Sequence, residues 1–504
     1  MNIQRSKIVV IGGCGTVGSL MARILKDNGA DVTVSDLSTQ SPQIPLLEKE
    51  GIKLNLGEHN WEILEDADII AVAPSLLKNQ ELIDKIKNIT EADIISVDEV
   101  LRICDVNKPV IGITGTNGKT TTTWMLKNIL KEAGKKVPEH GMNIQGNTEL
   151  IPALQARLDG NAAVLEIGTF GNPNEIKTSA MNSRVNIGII TNISQDHLTN
   201  SGKFSDYIKC KGEILDVADK LALNADDPVI ACLELNNPQK SLFYGIEHLD
   251  LDFDPYPEKR KCPVCSNELS YSIYYLGHLG LYECSCGFKR PDTHVKAYNI
   301  HDNEFTLVAG KKEARIKLKN KGIHNIYNAL AAACGAIALG IDFNYIVKGI
   351  ESFEGVKGRF QEFNIGKRVI VDYAHNPAGV KAIIQTMILE KSENSRLIVV
   401  NTISSESGIS GDIEIAKILK DADIIIVSSN ASRNALNEIN VDIPILFTDA
   451  SRKSSKMGTL GANKEQVEES INLAVSTAKN NDIILVIGEG GVKYSTEILG
   501  KFKN

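Results

Sequence analysis

Short β-branched runs alternate with segments of helical period along a chain of 504 residues, which predicts an α/β protein of three domains at about 150 residues each. Two glycine-rich turns each follow such a run and open a helical segment, and four cysteines cluster between them and the C-terminus. Together these predict an N-terminal Rossmann-like domain over residues 1–106 and a C-terminal Rossmann-like domain over 358–504. Between them lies a central P-loop ATPase domain over 107–357, with a zinc ribbon inserted at about 255–295.

Composition fits that class. Hydrophobic residues make up 42% and charged residues 23%, as in globular proteins. A net charge of −8 argues against general binding to nucleic acid or to acidic membranes. No apolar run reaches the roughly 20 residues of a membrane span. Met1-Asn-Ile-Gln-Arg-Ser-Lys7 leads into a strand without a signal-peptide core, so a cytoplasmic protein is expected. Cys14, Cys104, Cys210, Cys232 and Cys334 are scattered, which suits a reducing compartment.

In the first domain, Lys7-Ile-Val-Val-Ile-Gly12 reads as a buried strand, followed by Gly13-Cys14-Gly15-Thr16-Val17-Gly18 and a helix that Gly29 ends. The second strand, Asp31–Asp36, places a carboxylate 18 residues beyond Gly18. This is the dinucleotide-type fingerprint, with glycines for close phosphate approach and an acid for a ribose hydroxyl.

In the central domain, Val110-Ile-Gly-Ile-Thr114 leads into Gly115-Thr116-Asn117-Gly118-Lys119-Thr120-Thr121, a variant phosphate loop with Ile113 where the general pattern has Gly. Curled loop amides, the helix N-terminus and Lys119 suit a polyphosphate, and Thr120 or Thr121 offers a hydroxyl to its Mg²⁺, so the loop reads as an ATP site. Met125, Leu126, Ile129 and Leu130 share one helix face. Glu166 ends the next strand, and Val185–Ile193 is another, leading to Gln195-Asp196-His197. In an open α/β sheet these strand ends meet on one rim, which makes Glu166 and His197 candidate Mg²⁺ ligands. Cys262-Pro-Val-Cys265 and Cys284-Ser-Cys286, separated by eighteen residues, suit a tetrahedral S₄ zinc site of structural type.

Gly115–Thr121, Glu166, Asn192-Ile-Ser-Gln-Asp-His-Leu198, Tyr207 with Lys211, Asn224-Ala-Asp-Asp227 and His324-Asn325-Ile-Tyr-Asn328 together resemble the Mur ligase family, across all three domains. The resemblance implies that Lys119 and Thr120 bind phosphate and metal, and that Glu166 and His197 hold Mg²⁺ with Asn143 in a nearby loop. It further implies that Lys211 is carboxylated so that an anion, and not a cation, faces the metals. Asn325, Asn328, Arg359 at the hinge Gly358-Arg359-Phe360, and Asp372 and His375 of Asp372-Tyr-Ala-His-Asn-Pro377 are implied nucleotide contacts. Asn430 and Arg433 fall where some members read the incoming amino acid. Ile167-Gly168-Thr169 departs from the usual Ser-Ser after Glu166. The cysteine segment is similar to the insertion of MurT-type amidotransferase subunits, which lack the first domain found here.

The expected activity is therefore ATP-dependent amide ligation. A substrate carboxylate is phosphorylated and an amino acid's amine displaces the phosphate. Gly13, Gly15, Thr16, Val17, Gly18 and Asp36 would hold the UDP part of a UDP-linked peptide or amino-acid precursor, as in MurC- and MurD-like members, and the ribbon leans towards pseudomurein assembly. The alternatives are a MurT-like subunit fed by a glutaminase partner, a folylpolyglutamate or poly-amino-acid ligase, a non-catalytic nucleotide sensor and an NAD-binding protein.

Overall fold

The computed structural model describes residues 3–58, 60–138, 150–194, 204–235, 240–247, 257–403, 408–452 and 462–502. Three sheets follow one another along the chain. The first contains β1 (Lys7–Ile11), β2 (Asp31–Asp36), β3 (Lys53–Leu56), β4 (Ile69–Val72) and β5 (Asp93–Ile95), all parallel in the order β3-β2-β1-β4-β5. Helix Thr16–Asp27 packs Leu20, Met21, Ile24 and Leu25 beneath it, at the 3.6-residue period the sequence shows. It can approach so closely because a Cβ at Gly18 would stand 2.1 Å from the Gly12 carbonyl oxygen.

The central sheet has eight strands: β6 (Val110–Thr114), β7 (Ala163–Glu166), β8 (Ile187–Ile190), β9 (Lys220–Asn224), β10 (Ser241–Ile246), β13 (Val295–His301), β14 (Glu304–Ala309) and β15 (Lys312–Lys317). Their order is β15-β14-β13-β10-β9-β8-β6-β7, parallel from β7 to β13 and antiparallel beyond. Strands β11 (Ser270–Leu276) and β12 (Leu279–Glu283) form a separate antiparallel hairpin, the body of the inserted ribbon. Helices Lys119–Glu132 and Ile323–Ala338 cover one face, burying Leu126, Ile129, Leu330 and Ala331.

The third sheet is built from β16 (Gln361–Asn364), β17 (Arg368–Asp372), β18 (Leu397–Asn401), β19 (Ile424–Val427), β20 (Ile445–Phe447) and β21 (Ile483–Ile487), in the order β16-β17-β21-β18-β19-β20. Only β16 runs antiparallel to its neighbour. Several strands are shorter than their apolar runs suggest. The run Val185–Ile193 is strand only over Ile187–Ile190, because its last residues leave the ladder to bind the phosphate loop.

The junction of the first two domains is stiffened by one buried cation. Arg157, at the end of helix Leu150–Arg157, donates to the carbonyls of Leu101, Cys104, Ala153 and Asn182. Leu154 and Leu158 beside it belong to the core of the first domain. Among the described residues, no helix is long and apolar enough to cross a membrane.

Candidate active site

The phosphate loop turns at Gly118, whose φ of +86° lies in the left-handed region and whose missing Cβ would meet Asn328 Oδ1 at 2.3 Å. Helix Lys119–Glu132 starts there, so its free N–H groups face the loop. Lys119 Nζ donates to the carbonyls of Gly115 (2.9 Å) and Thr116 (2.8 Å), folded along the loop a polyphosphate would occupy. One residue on, Thr120 Oγ1 lies 3.2 Å from Glu166 Oε2 and 3.4 Å from Arg359 Nη2. A hydroxyl beside a carboxylate at adjacent strand ends is a hard-oxygen donor pair that fits Mg²⁺.

The segment Thr191–Ser194 splints this loop. Thr116 N donates to Asn192 O (2.8 Å), Asn117 N to Asn192 Oδ1 (3.1 Å), and Thr191 Oγ1 to Asn117 O (2.6 Å). Thr116 Oγ1 accepts from Ser194 N and lies 3.3 Å from Tyr207 Oη, which ties the loop to helix Phe204–Gly212. Lys211 on that helix is only 2% exposed, with Nζ 5.2 Å from the Tyr207 ring centre. His197 and Asn143 lie outside the described residues.

The third domain closes the other side. Asn376 caps helix Pro377–Glu390 through Gly379 N, and its amide pairs with that of Asn117 through two hydrogen bonds of 3.1 and 3.2 Å. Arg359 stacks on Tyr373, 4.3 Å from its ring centre. Asp372 accepts from Phe360 N and Ala374 N, so it holds the hinge segment as well as facing the cavity, with lone pairs left for a ribose. His375 packs edge-on against Tyr373 and is not among the lining residues. The cavity is bounded by Asn117, Gly118, Thr121, Asn325, Asn328, Arg359 and Asp372 of the expected set. His324 also lines it, and its buried Nδ1 has no hydrogen-bond partner among the described residues, an orphan that a bound nucleotide would satisfy. Burial pushes the His324 imidazole below its ordinary value, while Asp372 pulls the other way.

Asn224-Ala-Asp226-Asp227 resolves into two fully buried carboxylates. Asp226 binds Arg290 Nε (2.6 Å), Tyr327 Oη (2.7 Å) and Ile246 N (2.9 Å). Against the pull of burial, Asp226 and Glu247 hold the Arg290 guanidinium above its ordinary value. Asp227 accepts from Ile193 N and Val229 N and lies 3.1 Å from His278 Nε2. Against burial, His278 and these N–H groups hold the Asp227 carboxyl below its ordinary value. The four cysteines come together as expected, with Cys262–Cys286 at 3.7 Å, Cys265–Cys284 at 3.5 Å, and all four sulfurs within 4.8 Å of one another. Tetrahedral zinc with bonds of about 2.3 Å wants sulfurs about 3.8 Å apart, so the donor set fits.

The other expected residues stand apart from this centre. Asp36 accepts from Cys14 N (2.8 Å) and Ser38 N (2.9 Å), so its carboxylate first shapes the glycine turn of the first domain. Asn430 and Arg433 are joined to each other at 2.8 Å at the start of helix Asn430–Asn437, which Ser429 caps. Sequence reasoning missed Lys127, which burial pushes down to about 7 while Glu166 pulls it up. It lies two turns beyond Lys119 on the buried face of the same helix, and a charge at that period was the available signal.

Three family profiles match in series. They are the Mur ligase MurD-like N-terminal domain over residues 6–95, the Mur ligase middle domain over 113–336, and the Mur ligase glutamate ligase domain over 358–490. A pseudomurein peptide ligase type C from Methanothermus fervidus is 52% identical in sequence, with a TM-score of 0.91, covering 99% of this chain and 100% of that one. The UDP-N-acetylmuramate–L-alanine ligase of Aquifex aeolicus (strain VF5) is 27% identical over 99% of this chain and 97% of its own length. The MurT subunit of lipid II isoglutaminyl synthase (glutamine-hydrolyzing) from Staphylococcus aureus (strain N315) is 27% identical, over 61% of this chain and 70% of its own.

Proposed function

The chain belongs to the Mur ligase family of ATP-dependent acid–amino-acid ligases, and from that premise we propose that it adds an amino acid to a UDP-linked peptide precursor of pseudomurein type. The observation that carries this reading is the Thr120–Glu166 pair beside Lys119 on one loop, in a chain that also keeps a glycine-turn first domain.

Lys119 and the loop amides orient the γ-phosphoryl group of ATP toward the acceptor carboxylate. Thr120, Glu166, His197 and a carboxylated Lys211 would hold Mg²⁺, with Asn143 nearby. Magnesium held there would supply positive charge beside the phosphoryl oxygens. The acceptor carboxylate takes the phosphoryl group to give an acyl phosphate and ADP. The amine then attacks the carbonyl carbon, phosphate leaves with the C–O electron pair, and the amine's proton passes to solvent or a basic side chain. Asn430 and Arg433 orient the incoming amino acid, and Gly13, Gly15, Thr16, Val17 and Gly18, shaped by Asp36, receive the UDP group. Asn325, Asn328, Arg359 and Asp372 attend the nucleotide. Cys262, Cys265, Cys284 and Cys286 would hold a structural zinc. Thiolates of this kind, and UDP-linked substrates, suit the cytoplasm.

Domain closure about residues near 107 and 357 excludes water from the acyl phosphate. The test is ATP-dependent phosphate release across UDP-linked acceptors and free amino acids, with Lys119→Ala reducing it about a hundredfold or more. Release that depends on glutamine and a glutaminase partner would favour the MurT-like reading, for which the cysteine cluster speaks. Release independent of any UDP-linked acceptor would overturn the first reading.

A further inference from the structure

The cavity that begins at Asn117 and Gly118 ends against the inserted hairpin. Leu276 and Leu279, on either side of the turn between β11 and β12, line it together with Tyr244, Tyr327 and, from the third domain, Ile383. Glu258, His278 and Lys381 line it beside these apolar side chains, and Asn117, Gly118, Thr191 and Asn192 line it at the phosphate loop.

The turn is held in place from both sides. His278 Nε2 lies 3.1 Å from the buried Asp227 Oδ2, the same oxygen that accepts from Ile193 N in the segment splinting the phosphate loop. Its carbonyl accepts from Tyr271 Oη at 2.9 Å, and the carbonyl of Gly277 accepts from Glu258 N at 3.0 Å. Glu258 Oε2 is 3.8 Å from His278 Nδ1, and Glu258 Oε1 is 3.5 Å from Lys381 Nζ on helix Pro377–Glu390 of the third domain. Lys381 itself lines the cavity. The base of the ribbon rests on helix Pro228–Glu234, where Ala231 packs with Cys262, Leu269, Tyr282 and Phe288. Cysteine cluster, hairpin, buried acid and third domain thus form one continuous chain of contacts.

We propose that the cysteine-bearing ribbon is a wall of the nucleotide site: its turn Leu276–Leu279 covers the base, and Asp227, His278, Glu258 and Lys381 position that wall and latch the third domain to it. The inference rests on reading Gly115–Thr121 as the phosphate end of an ATP site. It assigns the ribbon a share in nucleotide affinity, with His278 and Lys381 as positioning residues.

The test uses the full chain and compares binding of a non-hydrolysable ATP analogue with that of inorganic tripolyphosphate, both with Mg²⁺, by titration calorimetry. His278→Gln is expected to weaken the analogue about tenfold and leave tripolyphosphate unchanged, with metal content as in the parent chain. Lys381→Met should weaken the analogue in the same selective way, and Lys381→Arg should restore it. Parent-like affinity for the analogue in both His278→Gln and Lys381→Met, or an equal loss for both ligands, overturns the proposal. Lys119→Ala examines the underlying reading separately, because it should weaken both ligands. If it weakens neither, the phosphate-loop reading falls first and this one with it.

Discussion

Gly118 sits at φ +86° with Asn328 Oδ1 where a Cβ would go, so Gly118→Ala adds backbone strain of about 1 kcal/mol and also drives apart the loop and helix Ile323–Ala338. Phosphate release is expected to fall about tenfold or more while the far-UV spectrum is unchanged, and parent-like turnover would count against the loop as the ATP site. Asp227 offers a second residue-scale outcome. Its folded-state value lies below the ordinary carboxylate range, so its stabilising contribution is complete above about pH 4 and is lost as pH falls through that lower value. Asp227→Asn should therefore lose less stability than the parent chain on acidification from about pH 5 to 3, read from thermal midpoints. Lys119, Glu166 and Gly118 were legible in the sequence because their meaning lies in short spacings after a buried strand. The Asn117–Asn376 amide pair was not, since no local pattern joins residues 259 positions apart.

Helices and strands carried most of their own evidence. Helix Thr16–Asp27 and helix Lys119–Glu132 show the 3.6-residue spacing that buries one face, and β1, β6, β18 and β21 are uninterrupted apolar runs of the kind that parallel sheets cover on both sides. Their order within each sheet was not legible, because a parallel ladder pairs residues through main-chain groups that every sequence shares. The ribbon was legible from cysteine spacing alone, though its contact with the third domain was not. One zinc per chain is the expected result of elemental analysis. The double variant Cys262→Ser with Cys284→Ser should lose that metal and lower the thermal midpoint by about 5 °C or more. A chain that holds no zinc yet keeps its midpoint would rule out the structural role.

Across the whole molecule the two junctions are built differently. Two of the four Arg157 hydrogen bonds, to Leu101 O and Cys104 O, cross the first junction, whereas the second is spanned by the Asn117–Asn376 amides, Arg359 and the pair formed by the half-buried Glu258 and the buried Lys381. Arg157→Met leaves those carbonyls without a donor and should cost about 3 kcal/mol or more. In calorimetry the first domain is then expected to melt ahead of the rest, and a single unshifted transition would contradict this. ATP analogue and acceptor together should lower the radius of gyration measured by X-ray scattering, with the third domain moving most. Three-domain organisation was readable from the repeated strand–turn–helix grammar, while the unequal junctions arise from single buried side chains that composition does not reveal.

The ribbon also bridges two neighbouring strands that run in the same direction, since Tyr244 of β10 lies beside Val295 of β13 in a parallel ladder. A tight turn cannot make such a link, because the chain must travel back the full length of the sheet before it re-enters, a return path of about a dozen residues that other α/β proteins give to a helix. Any attempt to trim this protein to a minimal ligase by splicing Ile246 directly to Val295 would therefore reverse a strand and unmake the sheet, so a shortened version needs a substitute crossover of comparable reach.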